Sequence, residues 1–108
     1  MRRHLGEFEQ LLLLALAGLE SDASGTSVRR AIQERTGRVL SPGAIYTGFG
    51  RLERRGYVRS SFGDPTPERG GKRKRLYRLT PAGSAALRQA QTSLAQMTRG
   101  LRTTTTPR

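Results

Sequence analysis

Residues 41–56 read Ser41-Pro42-Gly43-Ala44-Ile45-Tyr46-Thr47-Gly48-Phe49-Gly50-Arg51-Leu52-Glu53-Arg54-Arg55-Gly56. A hydroxyl residue followed by proline is a strong helix start: the serine side chain caps a free N–H, proline at the first helical position costs nothing by its missing N–H, and the remaining free N–H groups and the positive dipole end face outward. Gly56 is a stop signal, so the spacing predicts a helix from Pro42 to about Arg55. Ile45, Phe49 and Leu52 recur at helical intervals and form its buried stripe. The opposite arc carries Gly43, Tyr46, Thr47, Gly50 and Arg54. Glycine inside a helix costs about 0.5–1 kcal/mol relative to alanine, so Gly48 and Gly50 call for a reason. Gly50 sits on the outward arc, where a missing side chain lets another surface come close. Gly48 lies nearer the flank, where it can admit a neighbouring helix; the alternative for both is tolerated drift.

Working outward toward the N-terminus, Gly37 to Leu40 makes only a short connection. Before it, the pattern predicts a helix from about Thr26 to Thr36, with Val28, Ala31 and Ile32 inward and Arg29, Arg30, Glu34 and Arg35 solvated. Gly18 to Gly25 reads as a turn-rich connection through Ser21, Asp22 and Ser24. Glu7 to Leu19 is a further helix, with Phe8, Leu11, Leu12, Ala15, Leu16 and Leu19 on one stripe. Leu13 and Leu14 fall on its other side and are expected to face a second copy of the chain.

Toward the C-terminus, Tyr57–Phe62 and Lys74–Leu79 have strand character with partial alternation. Gly63 to Arg73, between them, is a basic loop rich in proline and glycine. Thr80-Pro81 repeats the cap-then-proline start and predicts a helix into the high nineties. Thr103 to Arg108 is polar and of low complexity, and is expected to be disordered. Helix, helix, helix, strand, wing, strand, helix is the order of a winged helix-turn-helix: mainly α, with a small β-hairpin wing and an additional C-terminal helix.

The chain has 108 residues and a formal net charge of +12, from 20 Lys and Arg against 8 Asp and Glu. Eighteen of those cations are Arg, which a GC-rich coding bias explains; the shortage of acids it does not explain. Such a field attracts polyanions, nucleic acid first and an anionic membrane surface second. With 34% hydrophobic residues and no Trp the core is thin, and pairing with a second copy eases the surface-to-volume problem. There is no Cys, and His4 is the single histidine, which argues against zinc and iron sites and against Ser/His/Asp or Cys/His catalysis. The acids show no paired-carboxylate pattern, so neither enzyme activity nor a cofactor is expected. The apolar run Leu11–Ala17 falls well short of the roughly 20 residues of a membrane span, and Glu7, Glu9 and Gln10 interrupt any signal-peptide reading of Arg2 and Arg3. The chain reads as cytoplasmic.

A helix after a short turn and before a basic loop is a candidate reader of double-stranded DNA, fitting the roughly 12 Å major groove. On it the candidate contacts are Ser41, Gly43, Tyr46, Thr47, Gly50, Arg51 and Arg54; in the wing they are Arg69, Lys72, Arg73, Lys74 and Arg75. Thr47 can touch a thymine methyl or a base edge, the Tyr46 hydroxyl can hold a phosphate, and Arg69 suits a narrow minor groove. Leu87, Ala90, Leu94, Met97 and Leu101 recur as an a/d seam suited to pairing with a second copy, the alternative being that this stripe packs back on its own domain. The expected organisation is a DNA-binding domain over residues 1–80, a dimerisation helix over 81–102 and a tail over 103–108.

Leu5-Gly6-Glu7-Phe8-Glu9 with the leucines after it, Ser41 through Thr47, Arg51-Leu52-Glu53-Arg54-Arg55-Gly56-Tyr57-Val58 and Tyr77-Arg78-Leu79-Thr80-Pro81-Ala82-Gly83 together resemble PadR-like transcriptional regulators. The resemblance covers about residues 5 to 95. It implies a winged helix, homodimerisation through the terminal helices, and repression relieved by a signal or ligand such as a small-molecule effector. It also implies that Tyr46, its neighbours and the wing approach DNA. One helix after the wing looks like the short form of the family. Gly48 and Gly50 depart from the helix formers usual there, and without Trp the stacking of a flat drug between subunits is not expected. Two other readings compete with a sequence-specific repressor: a protein-interaction module that grips an acidic partner with its wing, and a non-specific nucleoid or RNA-binding protein.

Overall fold

The computed structural model describes residues 4–65 and 73–101. Its elements are α1 (Glu7–Leu19), β1 (Ala23–Ser24), α2 (Gly25–Thr36), α3 (Pro42–Arg54), β2 (Val58–Pro65), β3 (Arg73–Leu79) and α4 (Pro81–Thr98). Each helix after the first begins on a hydroxyl cap. The Oγ of Ser24 accepts from the Ser27 amide at 3.2 Å, that of Ser41 from Ala44 at 3.0 Å, and Thr80 Oγ1 from Gly83 at 3.0 Å. Gly37 ends α2 and Gly56 follows α3, both in the left-handed region (φ 79° and 80°) that glycine enters without a Cβ penalty.

The sheet is three-stranded and antiparallel, in the order β1-β3-β2, with Val58 opposite Leu79, Ser60 opposite Tyr77 and Phe62 opposite Arg75. The edge strand β1 lies within the stretch Gly18 to Gly25 expected as a connection and corrects it. Ala23 pairs with Tyr77 and Ser24 with Leu76. Two residues carry no periodicity, so this strand exists only through its partner. Ser24 closes β1 and caps α2 at once, which moves the start of α2 to Gly25.

Helix α1 runs through the middle of the domain, packed against α2, α3, α4 and β3. Leu12 and Leu13 are both completely buried, and Leu16 nearly so. That corrects the expectation for Leu13: with α1 covered on both sides, its side chain is spent in its own core and offers nothing to a second copy. Leu14 remains partly exposed. Val28, Ile32, Ile45, Phe49, Leu52, Val58, Tyr77 and Leu87 complete the core. Burying a side chain of this size stabilises the fold by about 1.5–3 kcal/mol.

Two glycines permit close approaches. Gly48 is buried, and a Cβ built there would stand 2.6 Å from Leu12 Cδ1 and 2.9 Å from Phe8 Cε2, so α1 and α3 touch where a side chain is missing. A Cβ on Gly83 would run into the carbonyl oxygen of Tyr57. Thr80 fastens the same place: its N–H donates to Tyr57 O at 3.1 Å and its hydroxyl to Gly56 O at 2.7 Å. The end of α3, the start of β2 and the start of α4 are thereby one joint.

Beyond that joint the first half of α4 still packs on α1, and the second half leaves the domain. Leu87 is buried against the core, correcting its place in the expected pairing seam, and Ala90 is partly buried. From Gln91 to Leu101 every residue is exposed, including Leu94 (59%), Met97 (77%) and Leu101 (63%). The architecture is a winged helix-turn-helix with an added C-terminal helix.

Candidate nucleic-acid interface

The stripe Ile45, Gly48, Phe49 and Leu52 holds α3 on the core and turns its other face to solvent. On that face Ser41, Gly43, Thr47, Arg51 and Arg54 are exposed and Gly50 is half-buried. Tyr46 is 62% exposed, a large aromatic side chain with no core to fill. Tyr46, Thr47, Gly50, Arg54 and Arg75 line one open cleft between α3 and β3. A second cleft beside it is lined by Tyr46, Thr26, Arg29, Lys74 and Arg75. The face therefore joins three elements, the third being the start of α2, whose Thr26 and Arg29 the sequence reading did not single out as contacts. Nothing in their helical pattern marked them; only the packing of α2 beside β3 does.

Of the wing residues, Lys74 is exposed and Arg75 half-buried. Arg73 begins β3, with its backbone opposite Pro65. Arg69 and Lys72 lie outside the described residues, as does the tail over 103–108.

Several acids are engaged away from this face. Glu7 pairs with Arg38 at 2.8 Å, Glu9 with Arg55 at 3.4 Å and Asp22 with Arg78 at 2.9 Å. The Arg38 hydrogen bond and charge hold the Glu7 carboxyl below its ordinary value, and Asp22 in the same way raises Arg78. Arg55 also lies over the Tyr57 ring, 4.9 Å from its centroid, and so turns toward the domain rather than the exposed face of α3. Among the residues lining the α3–β3 cleft Glu53 is the one acid, and it accepts the Ser60 hydroxyl at 2.8 Å, tying the end of α3 to β2. Tyr77 closes the cleft floor; burial pushes its hydroxyl above the ordinary pKa, against the pull of the Arg75 charge nearby.

Among the described residues no three His, Asp or Glu side chains come together as a metal site, and no helix is long and apolar enough to cross a membrane. What the face offers is hydroxyls, guanidinium and ammonium groups, an exposed aromatic ring and a helix surface thinned by glycine. These are groups for phosphates and base edges.

The same organisation appears in known proteins. A transcriptional regulator from Clostridium thermocellum is 27% identical, with a TM-score of 0.70 over 84% of this chain and 85% of that one. A PadR family transcription regulator from hypervirulent Clostridium difficile shares the fold at 21% identity, with a TM-score of 0.72 over 87% of this chain and 93% of its own. The 37.1 kDa protein in transposon TN4556 of Streptomyces fradiae is 35% identical over 89 residues, 82% of this chain; the chain spans only 23% of the length of that relative. Residues 13–89, from the middle of α1 through the first half of α4, match the model of the transcriptional regulator PadR-like family, and with the winged fold around them the chain belongs to that family.

Proposed function

We propose that this chain binds double-stranded DNA sequence-specifically as a homodimer and represses transcription by occupying an inverted-repeat operator in the cytoplasm. The family is one of transcription regulators rather than enzymes. The observation that carries the reading is the meeting of Tyr46, Thr47, Gly50 and Arg54 from α3 with Arg75 from β3 around one open cleft. Helix α3 supplies groups for base edges, while the wing strand and the start of α2 supply cations for the backbone on either side. Pairing is supported by α4, since a helix exposed on every side over its second half gains its stability from packing. Leu94 and Met97 give it an apolar edge for a second copy, and the exposed Leu101 follows just beyond the end of the helix.

Sequencing the fragments the protein retains from a sheared genomic pool yields the operator, and competition against random duplex measures specificity. The reading requires a preference of about 10³ or more. It also requires an affinity that falls about 10³- to 10⁵-fold between 50 and 200 mM salt. Half-sites should lie about 34–36 Å apart. Binding indifferent to sequence overturns the repressor reading in favour of a non-specific nucleic-acid binder. Weak, salt-sensitive DNA binding with tight capture of an acidic protein overturns it in favour of an interaction module.

A further inference from the structure

Arg75 belongs to the basic run of the wing, yet its surroundings are unlike those of a cation held out toward phosphates. Strand β3 alternates, so Arg75 and Tyr77 point to the same side, toward α3. Tyr77 stacks on Phe49, with ring centroids 4.1 Å apart. One turn earlier on α3 stands Tyr46, and two residues earlier on β3 stands Arg75. The pair Tyr46–Arg75 therefore extends the row Phe49–Tyr77 from the core out to the surface. The guanidinium carbon lies 5.9 Å from the Tyr46 centroid and 5.0 Å from that of Phe62, the residue opposite Arg75 on β2. Both rings are largely exposed, Tyr46 at 62% and Phe62 at 54%, whereas Arg75 between them is half-buried. A guanidinium within about 6 Å of ring centroids is attracted to their faces, and its plane stacks on them as an ammonium does not.

We infer that Arg75 is a positioning residue: a clip between reader helix and wing that fixes the Tyr46 ring for base reading, and not one of the cations that neutralise the DNA backbone. The clip itself stands on the geometry of the free protein, and its effect on base reading rests on the proposed DNA binding. An exposed ring without a neighbour samples several rotamers, and ordering it on binding weakens right and wrong sites by different amounts. A phosphate contact behaves otherwise: losing it weakens all sequences alike and lowers the salt slope by about one.

The test uses the full chain, its selected operator and the variants Arg75→Lys, Arg75→Gln and Lys74→Gln. Arg75→Lys keeps the charge and removes the stacking plane. It is expected to cut the operator-to-random ratio about tenfold with the salt slope unchanged, and to have no further effect in a Tyr46→Ala background. Arg75→Gln should lose the same discrimination, again at an unchanged slope. Lys74→Gln should lower the slope by about one and leave the ratio intact. A lowered slope with uniform weakening in Arg75→Gln, or full discrimination in Arg75→Lys, overturns the positioning role. In the free protein the Arg75 Nε–H resonance should lie upfield from ring currents and move downfield in Tyr46→Leu and Phe62→Leu. An unshifted resonance overturns the clip itself. A shifted resonance in a protein without sequence preference keeps the clip and refutes only its part in base reading.

Discussion

The rings of Phe49 and Tyr77 lie 4.1 Å apart between centroids and 18° from parallel, so α3 and the wing strand β3 are joined by an aromatic stack at the centre of the domain. Phe49→Ala removes one ring from a fully closed site and should cost about 3–5 kcal/mol, a large share of the stability of a domain this size. Tyr77→Phe keeps the ring and should stay within about 1 kcal/mol of the parent at neutral pH. Chemical denaturation midpoints separate the two.

The Tyr77 hydroxyl adds a pH signature. Burial raises its pKa in the folded state above the ordinary value of 10.0, although the Arg75 charge opposes this. The folded state therefore holds the proton more tightly than the unfolded chain. Stability from this source is complete below about pH 10 and is lost as pH rises through the folded pKa. Denaturation at pH 9 and again above pH 10 should show a steeper alkaline loss in the parent than in Tyr77→Phe. Equal slopes would mean that Tyr77 is as accessible folded as unfolded.

Gly48 and Gly50 stand two residues apart in one helix and should respond oppositely to alanine. At Gly50 a Cβ meets nothing nearer than an Arg54 guanidinium nitrogen at 3.8 Å, so Gly50→Ala should stabilise by about 0.4–1 kcal/mol. At Gly48 the new methyl would press on Leu12, which is fully buried, and on the Phe8 ring. Overpacking of this kind costs about 1–3 kcal/mol and outweighs the backbone gain, so Gly48→Ala should melt lower than the parent. If close approach to bases is the reason for Gly50, its alanine variant binds operator more weakly despite melting higher.

On α4 the two leucines Leu87 and Leu94 should separate folding from pairing. Leu87→Arg buries a charge in the core and should prevent folding. Leu94 is 59% exposed in the single chain, so Leu94→Arg should leave far-ultraviolet circular dichroism and the fold of the monomer intact. Sedimentation should then report monomers in place of dimers, with operator affinity lost. A Leu94→Arg dimer would shift the pairing surface to the exposed part of α1 around Leu14.

Much of this organisation is written locally in the sequence. Ser41-Pro42 and Thr80-Pro81 mark helix starts by their own chemistry, and Gly37 and Gly56 mark stops, so both ends of α3, the end of α2 and the start of α4 can be placed without knowing their neighbours. The outward placement of Tyr46 and Thr47 follows from where Ile45, Phe49 and Leu52 must point. What the pattern conceals is tertiary. Strand β1 exists because β3 lies beside it. Leu13 and Leu87 read as surplus apolar residues until the elements that cover them are in place. Arg75 sits in a run of like charges and differs from Lys74 by its guanidinium plane and by the face of the strand it occupies. Two-residue alternation with Tyr77 is the signal that could have separated them.

Gly83→Ala tests the joint between the domain and its last helix. The added methyl meets the Tyr57 carbonyl, a backbone atom fixed at the start of β2 and unable to rotate away. The expected result is a loss above about 2 kcal/mol, more than for Gly48→Ala, where the obstructing atoms belong to side chains. Melting temperatures of the two variants measured side by side check the order.

In a dimer bound to an inverted repeat, that joint would set the spacing at which the two half-sites are met. With Thr80 bonded to both Gly56 and Tyr57, and Gly83 pressed on the same carbonyl, α4 leaves the domain at a set angle to α3. In a dimer paired through α4 the two joints act as the legs of a caliper, and the opening of the caliper is the distance between reading heads. Adding one base pair between half-sites turns one of them by about 35° around the duplex axis, at roughly 10–10.5 base pairs per turn. A caliper without play cannot follow that rotation, so it rejects a misspaced site even when every base in both halves is correct.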